Sequence, residues 1–399
     1  MLEGNIITGN TAENHGAGLY CEGGAPVIRW CEFVGNSAGS GGALYTDGGA
    51  TLRIIGCQIH DNTAAGPGGG IAVEGDAMPS IEGCVIQNNS GGDGGGVYVG
   101  AAGATITACT ISDNASPFGG GLSLVSGSTI TVTSALIAFN HADTWGGALS
   151  AAYTLDLVVE RCTIVGNTSP GAGSIDLYDA SIAARDAIVV GNTGAAVFSL
   201  QGVSNLAVEY SDVWGNDGSL VLGGSLPGFG LISGTNANGD SCDTYFNLFA
   251  DPQFVSPEGG DFHLDSASPC VDAGDPTSPP DPDGSAADMG AFPAALRLFL
   301  TAQHSGSQLR LSWNACPGTA SYWLYGTINE SFFAPGTAPG FDHRLAMLPA
   351  AITEWITDEG VGDPGQEWTF VVLAVNDAGW EQARSNHAGE RDFVLTISP

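Results

Sequence analysis

Tyrosines and carboxylates recur together near the start of the chain, in a pattern suited to recognising a sugar. The tyrosines are Tyr20, Tyr45 and Tyr98, and the carboxylates two residues beyond equivalent positions are Glu22, Asp47 and Glu74. Ring faces pack on the C–H surface of a pyranose, and carboxylates accept hydrogen bonds from its hydroxyls. The pattern predicts a ligand-binding stripe. The alternative is that tyrosine serves only as a good strand residue beside solubilising acids.

A second group of carboxylates has the spacing of a cation site. Asp281 and Asp283 stand two residues apart in an Asp-Pro-Asp-Gly turn, with Asp275 and Asp288 on either side. Hard cations such as calcium bind clusters of oxygen ligands. We therefore expect these four residues to bind calcium or, alternatively, to form a network of Asx and proline turns.

An internal repeat must position these side chains. The pattern Cys-x-(Ile, Phe or Val)-x-x-Asn, complete or degenerate, occurs nine times, and its asparagines are 24 to 27 residues apart. They are Asn10, Asn36, Asn62, Asn89, Asn114, Asn140, Asn167, Asn192 and Asn216. Such regularity is typical of a solenoid in which each repeat forms one coil.

Each repeat predicts short strands that stack about 4.8 Å apart from coil to coil. Apolar residues flank the Cys position, as at Ile28 and Phe33, and a second strand follows each glycine cluster. Stacked asparagine amides are expected to bond to one another at one corner. The five cysteines in register (Cys31, Cys57, Cys84, Cys109 and Cys162) are expected to fill the interior, because parallel Cβ directions suit a disulfide poorly.

The same alignment stacks Arg185 between Glu160 and Glu209 on an outward column. If this column has a catalytic role, Arg185 and Glu160 are the candidate residues. The alternative is a surface ion ladder of modest value.

The segments Asn62-Thr63-Ala64 and Gly68-Gly69-Gly70-Ile71 resemble the polymorphic-outer-membrane-type repeats of bacterial surface proteins in the pectin-lyase-like superfamily. The run of motifs that starts at Ser211–Asn216, continues through Ala250–Phe254 and ends at Asp288–Phe292 looks like the C-terminal cap of such proteins. The resemblance implies an all-β, right-handed parallel β-helix. It leaves activity open, because the fold carries lyases, hydrolases, epimerases and adhesins alike. Within the cap, a disulfide between Cys242 and Cys270 is expected to close a loop with little core.

A different domain is predicted beyond the repeats. Leu309–Trp313 and the segment from Trp368 to Gly379 resemble strands B and F of a fibronectin type III domain, a β-sandwich. We expect coils over residues 1–235, a final coil and cap over 236–293, and the sandwich over 294–399.

The composition limits the partners. The net charge is −33 and all 9 basic residues are arginine. This charge argues against nucleic acid and anionic membranes. No apolar run is long enough for a membrane span.

The chain begins inside a repeat, and Met1–Asn5 has no features of a signal peptide. We therefore expect an N-terminally truncated protein from outside the cell or from its surface. It would act as an adhesin or glycan-binding scaffold, with calcium the only cofactor considered and a polysaccharide or surface glycan as partner. The alternatives are a lyase or glycosidase acting on an acidic or neutral polysaccharide, and a purely structural stalk.

Overall fold

A computed structural model describes residues 1–126, 129–153, 156–281 and 284–294 in full, and the backbone of seven strands beyond them. The chain divides into two compact units. The first comprises Met1–Pro252, Pro269–Ser278 and Ala287–Phe292, and the second comprises Gln253–Ser268, Pro279–Ala286 and Pro293–Pro399.

The first unit is a parallel β-helix whose coils contribute strands to three sheets. Sheet A contains Leu2–Glu3, Val27–Arg29, Arg53–Ile55, Ser80–Glu82, Ala104–Thr107, Thr129–Thr133, Asp156–Glu160, Ser181–Arg185 and Asn205–Glu209. Sheet B contains Ile6–Thr8, Glu32–Val34, Gln58–His60, Val85–Gln87, Thr110–Ser112, Leu136–Ala138, Thr163–Val165, Ile188–Val190 and Asp212–Trp214.

In each coil, the strand of sheet C follows the asparagine corner and precedes the sheet A strand of the next coil. Its main strands are Leu19–Glu22, Leu44–Asp47, Ile71–Val73, Val97–Gly100, Leu122–Val125, Leu149–Ala152, Thr168–Tyr178, Thr193–Gln201 and Ser219–Leu222. Short strands precede them at Ser37–Ala38, Thr63–Ala64, Ala115–Phe118 and His141–Trp145. Because Thr168–Tyr178 is long, it pairs both with His141–Trp145 and with Leu149–Ala152.

Alternate residues of every coil fill one continuous core. Phe33, Ile54, Ile81 and Ile106 are fully enclosed, as are the five cysteines of the column. The cysteine prediction is confirmed, since all five are free buried thiols and the backbone N–H groups of Cys57 and Cys84 each donate to the next sulfur at 3.4 Å. Aromatic rings close the last coil, with Phe229 lying edge-on to Phe198.

The asparagine column saturates its own hydrogen bonds. Each Nδ2 donates to the Oδ1 of the next asparagine at 2.9 to 3.0 Å. Each Oδ1 also accepts the backbone N–H of the preceding asparagine, as between Asn89 and Asn114 at 2.9 Å. The second Nδ2 hydrogen binds a carbonyl of an earlier coil, as between Asn114 and Ile86 at 2.9 Å. Both donors and both acceptor sites of a buried amide are therefore used.

Glycine closes the path from the asparagine corner to sheet C. Gly41 has φ of +61°, a conformation that costs other residues free energy. A Cβ on the following Gly42 would strike the carbonyl oxygens of Thr63 and Gly69 in the next coil. The first glycine therefore supplies the turn, and the second permits the close approach of two backbones.

The second unit contains a hairpin and two larger antiparallel sheets. The hairpin joins Phe254–Ser256 to Asp261–Leu264 through a 3-10 turn at Pro257–Gly259. The three-stranded sheet contains Leu300–Ser305, Gln308–Trp313 and Glu354–Thr357. The four-stranded sheet contains Arg344–Pro349, Ser321–Ile328, Trp368–Val375 and Phe393–Ile397.

The all-β parallel helix is thus confirmed, and so is the stacking of the asparagines. The sandwich and the domain boundaries stay predictions. Among the described residues, none forms a helix with the length and apolar character needed to cross a membrane. The sequence analysis did not predict one further pairing. Leu248 forms a parallel bridge with Asp212 and extends sheet B beyond the ninth coil.

The hydrogen bonding of the asparagine column predicts that the loss of stability on substitution depends strongly on position within the column. Asn114→Ala should lower the free energy of unfolding by about 3 kcal/mol or more, because several buried groups lose partners that are each worth about 1 to 3 kcal/mol. Asn10→Ala, at an exposed end of the column, should cost less than about 1 kcal/mol. Urea denaturation of both variants measures the difference, and equal losses would contradict the argument.

Candidate functional site

The predicted tyrosine stripe, formed by Tyr20, Tyr45, Tyr98, Glu22, Asp47 and Glu74, lies on the outer side of sheet C. The expected register is confirmed, since Tyr20 pairs with Tyr45, Tyr45 with Ala72, and Ala72 with Tyr98. The six residues therefore come together along one side of four consecutive coils.

The stripe is less open than the alternation of residues suggests. Tyr20 is 48% exposed, whereas Tyr45 is only 4% exposed because the rings of His15 and Tyr20 pack against it. The Tyr45 ring stacks on His15 with 4.3 Å between centroids, and it lies 5.5 Å from the ring of Tyr20. His15 and Tyr20, on either side of Tyr45, are both exposed, so the aromatic group faces solvent through these two rings and not through Tyr45.

The carboxylates of the stripe are hydrogen-bonded to its phenols. The Tyr45 hydroxyl donates to Glu74 Oε2 at 2.8 Å, and the Tyr20 hydroxyl donates to Asp47 at 3.2 Å. Burial, reinforced by the Glu74 carboxylate, raises the pKa of Tyr45 well above its usual range. Both phenols therefore stay neutral donors at neutral pH. Glu22 is exposed at the edge of the stripe.

Tyr98 occupies a second, half-buried position along the stripe. Burial, with smaller contributions from Asp93 and Glu74, raises the pKa of Tyr98 to about 12. Burial also raises the pKa of Asp93, although a hydrogen bond from Ser123 opposes the shift. This end of the stripe is polar but partly enclosed.

The arginine column has the predicted register, with Glu160, Arg185 and Glu209 on adjacent strands. The Arg185 guanidinium lies 3.9 Å from Glu209 and 3.2 Å from Asp275. The contact with Asp275 was not predicted, because it joins residues distant in sequence. These contacts favour the ion ladder over a free catalytic base.

The predicted calcium ligands have other partners where the structure describes them. Asp275 accepts the backbone N–H and hydroxyl of Thr277, and Asp288 accepts the backbone N–H of Asp272 at 2.7 Å. Asp281 begins a turn closed by the N–H of Gly284 at 2.8 Å. Asp283 lies outside the described residues. Among those described, no three His, Cys, Asp or Glu side chains converge as metal ligands, and calcium stays a prediction.

Asp275 instead belongs to a strap, formed by Pro269–Ser278 and Ala287–Phe292, that lies on sheet B. The carboxylate of Asp186 accepts the N–H of Asp275 at 2.6 Å and the hydroxyl of Ser278. The N–H of Ala291 donates to the Thr163 hydroxyl at 3.0 Å. The aspartates of these turns are a sequence signal for such contacts, because aspartate is common in turns where its carboxylate accepts backbone N–H groups.

The expected disulfide between Cys242 and Cys270 is wrong, since both are buried thiols outside any disulfide. The Cys270 sulfur donates to Asp212 Oδ2 at 3.7 Å, and the N–H of Ala250 donates to Asp212 Oδ1 at 3.1 Å. Burial raises the pKa of Asp212 to about 7. The strap is therefore held by hydrogen bonds to buried carboxylates.

Two surface groups escaped sequence reasoning. On sheet B, His60 lies 3.0 Å from Glu32 and 2.8 Å from Asp61. Burial lowers the pKa of His60, but hydrogen bonds to Asp61 and Glu32 outweigh burial, and the net shift is upward. At the corner before sheet C, Trp145 is 39% exposed beside Phe118. The alternation of inward and outward residues along each repeat could have predicted that His60 and Trp145 face outward.

Two protein-family models agree with this architecture. A family model of the right-handed β-helix region matches residues 42–213, and a model of the Chlamydia polymorphic membrane protein repeat matches residues 31–47. The crystal structure of pectate lyase Pel9A is 15% identical with a TM-score of 0.38, over 73% of this chain and 86% of that one. No curated protein sequence matches the chain.

The fold and the family models define the class: the first unit carries a right-handed parallel β-helix. Within that class, its second coil matches the polymorphic membrane protein repeat.

Asp212 predicts a specific dependence of stability on pH. Because its folded pKa of about 7 exceeds the unfolded value of about 3.9, the folded state holds one extra proton between these limits. The corresponding stabilisation is complete below the unfolded pKa and is lost as the pH rises through the folded pKa.

Urea denaturation between pH 5 and pH 8 tests this with Asp212→Asn. Wild type should lose stability relative to this variant as the pH rises, and Asp217→Asn, an exposed carboxylate of the same coil, should follow wild type. Parallel profiles for wild type and Asp212→Asn would contradict the assignment.

Proposed function

We propose that this protein is an extracellular or surface-displayed scaffold that binds a glycan along the tyrosine stripe. One observation carries the proposal: the exposed ring of Tyr20 continues a stack through Tyr45 and His15, with Asp47 at its hydroxyl and Glu22 beside it. Such an arrangement offers a ring face for a pyranose and carboxylates for its hydroxyls.

The β-helix suits this role because its coils are rigid. Pre-ordered side chains lose little conformational entropy when a ligand binds, so even a small aromatic surface contributes affinity. The phenol–carboxylate hydrogen bonds fix the orientations of Tyr20 and Tyr45 before any ligand arrives.

The match to a polymorphic membrane protein repeat favours a location at the cell surface. For the second unit, we propose that its three- and four-stranded antiparallel sheets form a fibronectin type III-like sandwich that acts as a spacer or accessory binder.

Binding rather than catalysis is proposed because Arg185, a candidate catalytic residue, already contacts Asp275 and Glu209. Incubation with a panel of neutral and uronic-acid polysaccharides checks this choice. Neither the absorbance of unsaturated products nor the reducing-sugar content should rise, and an increase in either would favour the enzyme alternative.

The stripe itself is tested by retention on a glycan array. Tyr20→Ala should reduce retention at least about tenfold, since loss of a stacking ring removes on the order of 1.4 kcal/mol of binding free energy. Tyr45 is left intact because its burial would make truncation destabilising.

Tyr178→Ala, an exposed tyrosine outside the stripe, is the matched control and should bind like wild type. Unchanged retention of Tyr20→Ala, with both variants equally stable, would sink the proposed site.

A further inference from the structure

A second aromatic surface lies apart from the tyrosine stripe, on the strand His141–Trp145. Exposure alternates along this strand, so that His141, Asp143 and Trp145 point outward while Ala142 is buried. We name the surface formed by Phe118, His141, Asp143 and Trp145 the tryptophan ledge.

The aromatic part of the ledge spans two coils. The rings of Phe118 and Trp145 lie 5.4 Å apart, with 49° between their planes. A register shift between Ser116 and Phe118 places Phe118 opposite Trp145. Together the rings form a hydrophobic surface wider than one side chain.

The ledge is held rigidly. Its strand pairs with Ala115–Phe118 on one side, and on the other side its first residue, His141, pairs with Thr168. It starts directly after Asn140 of the ladder and ends at Gly146, whose φ of +69° turns the chain into sheet C. The strand that carries Trp145 is therefore anchored at both of its ends.

The polar part of the ledge supplies hydrogen bonds beside the rings. His141 Nε2 lies 3.3 Å from Asp143 Oδ1, and both side chains are largely exposed. A carboxylate accepts from sugar hydroxyls, and an imidazole both donates and accepts. Aromatic faces flanked by such groups match a pyranose, which has an apolar C–H surface and a polar rim.

The charge of the protein selects among sugars. A chain of net charge −33 without lysine repels uronate, sialate and sulfate groups. The ledge adds the exposed carboxylate of Asp143 to this field. The chemistry therefore fits a neutral glycan.

We propose that the tryptophan ledge is a binding subsite for neutral hexose or pentose units of a polysaccharide, separate from the tyrosine stripe. The inference rests on the proposed glycan-binding function but places recognition on different residues. Each surface can therefore fail independently of the other.

Affinity electrophoresis of the full chain tests the proposal in gels containing a neutral glucan, mannan or xylan, with polygalacturonate as the acidic comparison. Wild type should be retarded by at least one neutral polymer and not by polygalacturonate. Trp145→Ala should weaken that retardation at least about tenfold, and Trp145→Phe should retain part of it.

Tyr153→Ala is the matched control, because Tyr153 is 54% exposed at another corner, where its ring contacts Tyr178. It should migrate like wild type. Urea denaturation of each variant separates a binding defect from loss of folding.

Three results would overturn the ledge: retardation of Trp145→Ala equal to wild type, no retardation of wild type by any neutral polymer, or stronger retardation by polygalacturonate. Tyr20→Ala run in the same gels distinguishes the two surfaces. If Tyr20→Ala loses binding while Trp145→Ala keeps it, the stripe stands and the ledge falls; the opposite pattern overturns the stripe alone.

Discussion

The buried asparagine ladder is the constraint on which the rest of the β-helix depends. An amide enclosed in a protein costs free energy unless its donors and acceptors are paired. Here each internal asparagine satisfies its neighbours above and below and a strand carbonyl as well. No internal member can be lost without leaving buried polar groups in two coils, so the column fixes the corner of every coil.

The corner in turn determines what can follow it. After each asparagine the chain must cross close to the next coil and turn sharply into sheet C, which is why Gly41 and Gly42, or their counterparts, recur. The same turn precedes Tyr20 and Tyr45, yet only Tyr45 is buried, because the rings of His15 and Tyr20 pack against it. The backbone turn thus sets the position of each tyrosine, and the neighbouring side chains decide which of them reach solvent.

Sequence reasoning succeeded where the period of the repeat controls the structure. The register of Arg185 with Glu160 and Glu209, the ladder and the cysteine interior all follow from aligning equivalent positions. It failed where residues outside the period meet the coils. The contact of Asp275 with Arg185 and that of Cys270 with Asp212 join the strap to earlier coils, and neither alternation nor spacing encodes such pairings. Tyr45 shows a third case, because alternation gives the side of a sheet but not what covers that side.

The segment between ladder and glycine turn is where the coils differ most. Its equivalent positions, related by bridges and strand pairing, include His15 and Ser40, then Pro67 and Asp93, then Phe118 and Trp145. Both ends of this segment are fixed by hydrogen bonding and close backbone approach, so its middle can change side chain without changing the path of the chain. A surface that varies on an invariant frame is the arrangement by which rigid scaffolds acquire binding sites. The tyrosine stripe uses its phenols in hydrogen bonds to Asp47 and Glu74, whereas this corner can change its side chains with little effect on the stability of the β-helix.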